Sequence, residues 1–313
     1  METLVTLTVN PCIDINTTVD RVVAERKLRC GSAKYEPGGG GVNVSRAVSK
    51  LGGDSLALFP AGGAHGMLIQ DLLEEEGVRR ETVPIDGWTR ESFIAYESDT
   101  GQQYRFSLPG PRLREQEWSQ CFDALESRCG SSGFIVASGG LPPGVPEDFY
   151  GRLAAHCRDL GSHLIVDTSG DPLCRALDAG IYLVKPNLRE LKHLAGKDLE
   201  SDEDIEAFSR DLVERGRSEV VVVSLGAGGA LLTWKDGQKR LRAPTVSIRS
   251  KVGAGDSMVA GLVLALSRGE ALEDAVRFGV ACGAAAVMTP GTELCRREDA
   301  EKLYASMSAE KTV

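Results

Sequence analysis

The sequence predicts an α/β protein: a three-layer arrangement with a mostly parallel sheet, helices on both faces and a small strand-built lid. Three observations predict it. From about residue 114 onward, apolar strand-like runs alternate with amphipathic helical stretches, the pattern of parallel strands joined by crossover helices. Val220-Val-Val-Val223 is apolar at every position, as a strand covered on both faces must be. Between residues 84 and 110 the period changes to two strand-like runs around Asp99-Thr-Gly-Gln102, a hairpin signal that fits no βαβ unit.

The elements follow in order. Residues 3–9 alternate apolar and polar and read as a strand that Asn10-Pro11 ends. Residues 42–51 have helical apolar spacing closed by Gly52-Gly53, 55–59 form a strand, and 66–76 form an amphipathic helix ended by Gly77. Strands over 92–98 and 103–108 make the hairpin. With the segment after Pro11 it is expected to form a small antiparallel flap, placing the lid around 12–36 and 84–110. Helices over 114–126, 147–160, 171–179 and 203–214 are then each followed by a strand, at 133–137, 163–166, 181–184 and 219–224. Helices over 255–268 and 272–287 come last, the second rich in small residues. No linker, repeat or low-complexity tract interrupts the 313 residues, so a single domain, 1–313, is expected.

Composition excludes several functions. The longest apolar stretch has 13 residues (220–232), short of the ~20 a membrane span needs. No basic-then-apolar leader is seen, and a cytoplasmic protein is expected. A net charge of −9 without a basic run disfavours nucleic acid and membrane surfaces, so an anionic ligand must be held locally. Eight cysteines (12, 30, 121, 129, 157, 174, 282, 295) include no Cys-x-x-Cys and are expected reduced and mostly buried. Histidines 65, 156, 163 and 193 form no His/Cys cluster along the chain, so no zinc site is expected.

The chemistry concentrates in glycine clusters. Val252-Gly-Ala-Gly-Asp-Ser257 runs straight into an apolar helix, where the N–H groups of Gly253, Ala254 and Gly255 and the helix dipole make an anion site. Asp256 there is either an N-terminal cap or dipole partner of the helix, its commoner role, or a base that takes a proton from a hydroxyl beside a transferring phosphoryl group. Glu36-Pro-Gly-Gly-Gly-Gly-Val-Asn-Val44 lets a ligand lie on bare backbone at Gly38 and Gly39. Asn43 can then either cap the helix or bind sugar hydroxyls. Ser224-Leu-Gly226-Ala-Gly228-Gly229 follows the buried strand, a suitable place for nucleotide phosphates, and has neither dinucleotide nor Walker-type spacing. Ser138-Gly-Gly140-Leu-Pro-Pro-Gly144 also follows a strand. In Lys185-Pro-Asn187-Leu-Arg-Glu190, Asn187 and Glu190 are either a helix capping box, the reading sequence statistics alone prefer, or a pair orienting Mg²⁺-bound water and nucleotide phosphate. Arg90 and Arg105 on the flap are either solvated edge residues or a phosphate clamp.

Together these motifs, with Asn10-Pro-Cys-Ile-Asp14, resemble the ribokinase-like sugar kinases of the phosphofructokinase-B type in order and spacing over essentially the whole chain. Lys27-Leu-Arg-Cys30, Phe59-Pro-Ala-Gly-Gly63, Trp88-Thr-Arg90, Gln103-Tyr-Arg-Phe106 and Arg277-Phe-Gly-Val280 are similar to the branch of minor bacterial 6-phosphofructokinases. The neighbouring branches are 1-phosphofructokinase and tagatose-6-phosphate kinase. A nucleoside or unphosphorylated-sugar kinase and a non-catalytic sensor are remoter alternatives.

The resemblance implies a ribokinase-like sandwich whose lid pairs with that of a second subunit, and ATP-dependent phosphorylation of fructose 6-phosphate. It implies Asp256 as base. Asp14, Gly39 and Asn43 would bind sugar hydroxyls, and Arg90 and Arg105 the existing phosphate. Lys185, Asn187, Ser224 and Gly226 would lie along ATP, with Asn187 and Glu190 serving Mg²⁺ and Lys27 reaching a nucleotide or sugar phosphate of a neighbouring subunit. A K⁺ loop would involve Ser250, Val252, Val287 and Gly291. Ser250 stands where many relatives have Asp, Lys251 where small polar residues are common, and Gly140 where a Ser is usual, leaving only a backbone N–H there.

Overall fold

The computed structural model describes residues 3–128 and 133–309. Its strands are β1 (Leu4–Leu7), β2 (Cys12–Val19), β3 (Lys34–Gly38), β4 (Leu56–Ala61), β5 (Arg79–Pro84), β6 (Arg90–Glu97), β7 (Gln103–Ser107), β8 (Phe134–Ser138), β9 (His163–Asp167), β10 (Ile181–Val184), β11 (Ser218–Ser224), β12 (Ala230–Trp234) and β13 (Gly237–Leu241). Its helices are α1 (Gly40–Lys50), α2 (Gly63–Glu75), α3 (Glu115–Arg128), α4 (Phe149–Leu160), α5 (Asp171–Ala179), α6 (Leu188–Ala195), α7 (Asp202–Glu214), α8 (Ala254–Ser267), α9 (Leu272–Val287) and α10 (Arg297–Ala309).

Among the described residues nine strands form one sheet in the order β13-β12-β11-β10-β9-β8-β1-β4-β5, all running the same way except β12, which pairs antiparallel with β11 and β13. Strand alternation sorts the core into two layers. Leu4, Val136, Ile165, Leu183, Val220 and Val222 face α1, α8 and α9, while Val5, Leu7, Ile135, Leu164, Val166, Val221 and Val223 face the opposite helices. The small residues of α8 and α9 have a packing role. A Cβ on Gly261 would lie 2.5 Å from Cys282 Sγ, and one on Gly279 would lie 2.7 Å from the Met258 carbonyl.

The second sheet, β3-β2-β6-β7, corrects one expectation: it is mixed rather than antiparallel. β2 and β6 pair in parallel along their full length, from Cys12 opposite Arg90 to Val19 opposite Glu97. Seventy residues and two helices separate them, so no tight turn dictates an antiparallel pairing. β5, β13 and α10 are additions to the sequence reading; β5 (Arg-Arg-Glu-Thr-Val-Pro) and β13 (Gly-Gln-Lys-Arg-Leu) are polar strands at sheet edges.

None of the seven described cysteines is in a disulfide: five are buried, Cys174 is half-buried and Cys30 exposed, while Cys129 lies outside the described residues. Among the described residues no helix is long and apolar enough to cross a membrane.

β1 lies between β8 and β4, which run to its two sides, so a crevice opens beyond the carboxyl ends of the strands at this switch point. The second sheet hangs over that crevice from the end of β1.

Candidate active site

A cavity of about 310 Å³ occupies the crevice. It is walled by the lid strands, the loops after β8 and β9, and the first turns of α1 and α8.

The four glycines at 38–41 make this convergence sterically possible. A Cβ would lie 2.5 Å from Asp14 Oδ2 at Gly38, 2.1 Å from Ser138 Oγ at Gly40 and 2.6 Å from Thr8 Oγ1 at Gly41. Gly39 has φ 109°, which side-chain-bearing residues rarely adopt. Lid, β8 loop and β1 therefore meet against bare backbone at the start of α1.

At α8, Gly253 caps the helix with φ 75° and no side-chain cap, so Asp256 is free of capping duty. Its Oδ2 instead accepts a 2.9 Å hydrogen bond from Asn43 Nδ2. Burial, then the neighbouring Asp167, push the Asp256 carboxyl up to about 6. Asn43 is in turn held by Arg46, whose Nη1 donates to Asn43 Oδ1 at 3.3 Å. Arg46 can only donate, so it turns the amide oxygen toward itself and the amide NH₂ toward Asp256. The Arg46 side chain is 2% exposed and forks onto Glu76 at 2.7 and 2.6 Å, with a further bond to the Pro37 carbonyl at 2.8 Å.

The lid supplies Asp14 and two arginines. Asp14 is buried, which raises its carboxyl above the ordinary value, against the opposing pull of the Cys12 thiol that donates to it at 3.3 Å. Arg90 is pinned to the wall, giving Nε and Nη2 to the Asn10 carbonyl at 3.3 and 3.2 Å and Nη1 to Ser107 Oγ at 2.9 Å. Arg105 lines the same cavity, and its side chain has no hydrogen-bond or ion-pair partner among the described residues. Glu36 of β3 fastens the lid: it accepts from Asn16 at 2.9 Å and Lys34 at 2.9 Å, and from the Thr292 hydroxyl.

On the other side, Lys185 Nζ lies 3.2 Å from Asp167 Oδ1. Burial pulls the Lys185 ammonium down, but Asp167, Glu190 and Asp256 together outweigh it and the net shift is upward. A Cβ on Gly255 would lie 3.6 Å from that ammonium, so Lys185 sits against the tip of α8. Asn187 and Glu190 form the capping box in full: Asn187 Oδ1 accepts from the Glu190 N–H and Glu190 Oε2 from the Asn187 N–H, each at 2.9 Å. Glu190 also lines the cavity, and burial raises its carboxyl. Capping and cavity placement therefore coexist. Ser224 bridges Asn187, which joins this loop to the glycine turn 226–229. Gly226 and Gly228 are exposed there, while a Cβ on Gly229 would lie 1.9 Å from the Leu241 carbonyl.

Ser250, Val252, Val287 and Gly291 also come together. Ser250 Oγ donates to the Gly291 carbonyl at 2.7 Å and accepts from the Val252 N–H at 3.2 Å, and the Arg249 N–H donates to the Val287 carbonyl at 2.7 Å. Gly140 lines the cavity with open space where a side chain would be. Lys27 does not join the site within one chain; it is exposed on the 20–33 loop.

Asp167, Thr168, Ser169, Ser92, Ser107 and Arg46 are contributors that the sequence reading omits. Asp167-Thr-Ser-Gly170 directly after an apolar strand was an available signal for the first three.

A cavity with a raised carboxyl at a glycine-lined helix tip, an unpaired arginine and a buried lysine is built for two anionic ligands. The family model for "pfkB family carbohydrate kinase" matches residues 7–299. The chain belongs to the pfkB family of carbohydrate kinases. Within it, the chain is 48% identical over 309 residues to ATP-dependent 6-phosphofructokinase isozyme 2 of Mycobacterium tuberculosis H37Rv, covering 99% of this chain and 91% of that one. It is 42% identical to the isozyme 2 of Escherichia coli K12 (98% and 100% coverage). The structure of Escherichia coli phosphofructokinase-2 with potassium superposes with a TM-score of 0.96 at 41% identity, over 98% of this chain and all of that one. The fold is thus the ribokinase-like three-layer sandwich of pfkB kinases.

Proposed function

We propose that the protein is an ATP-dependent 6-phosphofructokinase, converting fructose 6-phosphate to fructose 1,6-bisphosphate. The observation that carries this reading is one cavity in which the Asp256 carboxylate, held by Asn43, shares its walls with the unpaired Arg105. An acceptor hydroxyl and a phosphate already on the sugar are then addressed from two different elements, the tip of α8 and lid strand β7. The higher identity to 6-phosphofructokinases than to 1-phosphofructokinases, such as that of Bacillus subtilis at 31%, favours the 6-phosphate. An ADP-release assay across fructose 6-phosphate, fructose 1-phosphate and tagatose 6-phosphate tests it; equal or greater turnover of either alternative sugar overturns the assignment.

The sugar phosphate rests on Arg105 and Arg90, and the hydroxyls on Asp14, Asn43 and the backbone of Gly38, Gly39 and Gly140. Asn43 occupies Asp256 Oδ2, leaving Oδ1 to take the proton from the primary hydroxyl as its oxygen attacks the γ-phosphorus of ATP. The N–H groups of Gly253, Ala254 and Gly255 at the positive end of α8 stabilise charge on the transferring phosphoryl. ATP lies along Lys185, Asn187, Ser224 and the Gly226–Gly229 turn. Asp167 and Glu190 line the cavity beside Lys185, a donor set suited to a hydrated Mg²⁺, with Asn187 next to it. Mg²⁺ bound there would neutralise nucleotide phosphate charge. The Gly291 carbonyl, which accepts one hydrogen bond from Ser250, keeps a lone pair for K⁺, while the Val287 carbonyl accepts from both the Arg249 and Ser250 N–H groups; K⁺ held there would brace the 250–252 segment leading into α8.

The second sheet serves as the lid of a single domain, and lid meets lid in a homodimer. In support, Tyr35, Ile15, Phe93 and Phe106 form one cross-strand row, and all but the half-buried Ile15 are exposed. Lys27 would then reach a neighbouring subunit. Light scattering at the monomer mass for both wild type and Phe106→Asp would refute this arrangement.

Arg105→Ala is expected to raise KM for fructose 6-phosphate about 10–100-fold with kcat largely kept, the value of a charge-assisted phosphate contact. An unchanged KM removes Arg105 from the clamp. Because Asp256 must be ionised to act, kcat should fall tenfold per pH unit below about pH 6. An acid limb near pH 4 would dissociate the raised carboxyl from the rate.

A further inference from the structure

Asp171, Cys174 and His193 stand together outside the cavity. Asp171 and Cys174 are three residues apart, so both lie on one face of α5, and His193 comes from α6. One carboxylate oxygen, Cys174 Sγ and one imidazole nitrogen all lie within 4.8 Å of one another. Asp171 and His193 are exposed and Cys174 is half-buried, so the group is reachable from solvent. The side chains of Asp171 and His193 have no hydrogen-bond or ion-pair partner among the described residues. The sequence reading, which expected no His/Cys cluster, is corrected here: β10 returns the chain so that residues 174 and 193 become neighbours.

We infer that these three side chains form a binding site for a zinc-class divalent cation, with the fourth coordination position open to water. The ligand set decides the class. A thiolate and an imidazole beside one carboxylate suit Zn²⁺ or Co²⁺, whereas Mg²⁺ and Ca²⁺ require oxygen ligands throughout. Bond lengths of about 2.0–2.3 Å in tetrahedral geometry place ligand atoms about 3.3–3.6 Å apart. The three atoms must therefore close by roughly 1 Å, within reach of rotamer adjustment on two exposed side chains. On binding, the Cys174 Sγ–H proton leaves to solvent and the sulfur lone pair forms the metal bond.

The position gives the site a consequence. α5 rests chiefly on α4, so a metal here would staple α5 to α6 where little else joins them. Glu190 lies three residues before His193, and Ser169 two residues before Asp171; both line the cavity. The staple would thus tie the start of α5, next to Ser169, to the part of α6 one turn beyond Glu190. This inference does not depend on which sugar is the substrate.

The test is titration of the chelator-treated, full-length protein with Co²⁺ in the absence of nucleotide and sugar. A thiolate-to-metal charge-transfer band saturating at one equivalent per chain, with visible absorption of tetrahedral cobalt and displacement by Zn²⁺, is the expected result. Cys174→Ser should lose the band, His193→Ala should weaken it, and Cys30→Ser should leave it intact. Zn²⁺ should raise the Tm of wild type in a concentration-dependent way, but not that of Cys174→Ser. Cobalt held only by the acids of the main cavity gives no thiolate band. A band that survives Cys174→Ser, its absence from wild type, or an equal Zn²⁺-induced Tm shift in both proteins overturns the site. If Cys174→Ser misfolds by circular dichroism, Asp171→Asn replaces it, with weakened cobalt binding expected and unchanged binding refuting the inference.

Discussion

Asp256→Asn is expected to lower kcat by about 10²–10⁴ while leaving ATP affinity nearly unchanged. The amide keeps the size and the neighbourhood of Asn43 but cannot accept a proton from the acceptor hydroxyl. The same change should stabilise the fold. The folded carboxyl titrates at about 6, against an ordinary 3.8, because burial and Asp167 disfavour its charge. A group with a raised folded pKa supports the fold below its unfolded value, and that support is lost as pH rises through the folded value. Above about pH 6 the wild type therefore carries the cost of an ionised, crowded carboxylate, and Asn removes it. With one side of the carboxylate open to the cavity, a gain of about 1–3 kcal/mol follows from the shift. The Tm difference between variant and wild type should be largest near pH 8 and fade toward pH 4. Loss of activity with loss of stability at pH 8 would mean that Asp256 holds the structure together. Retained activity would refute its role as base.

Legibility in the sequence followed physical locality. The parallel strands were readable because burial on both faces demands continuous apolar runs, as in β11, and α8 and α9 because their apolar runs are longer than a strand. Polar edge strands such as β5 and β13 carry no such signature, since one side of each meets solvent. The direction of β2 against β6 was invisible because pairing across a long insertion is a tertiary choice. The site divides in the same way. Glycines that admit close backbone approach announced themselves in clusters, and Asp256 stood beside one. Asn187 and Glu190 admitted two readings; the structure forms the capping box in full and sets Glu190 on the cavity wall. Arg46 and Asp167 were hidden because their meaning lies in partners from distant segments, Glu76 and Lys185. For Arg46 a local hint existed: it falls three residues after Asn43, on the same face of α1.

That relation makes Arg46 the other position of large expected effect. Removing it does two separable things. First, it strips a buried guanidinium from Glu76, leaving a half-buried carboxylate without its partner; Arg46→Ala should cost about 3 kcal/mol. Second, it releases the Asn43 amide, which can then turn its oxygen toward Asp256. An amide NH₂ facing Asp256 favours the carboxylate, and an amide oxygen facing it favours the protonated acid. The acid limb of kcat should therefore move to higher pH in Arg46→Ala, with kcat at neutral pH reduced even at temperatures where the variant is fully folded. Arg46→Lys separates the two effects. A lysine keeps the charge near Glu76 and recovers part of the stability, yet its point-like ammonium cannot reproduce the fork that serves Glu76, Pro37 and Asn43 together. The expected outcome is a largely restored Tm with the acid limb still displaced. If Arg46→Lys restores both Tm and pH profile, or if neither variant shifts the limb, then Arg46 acts on the fold alone and Asn43 holds its orientation without it.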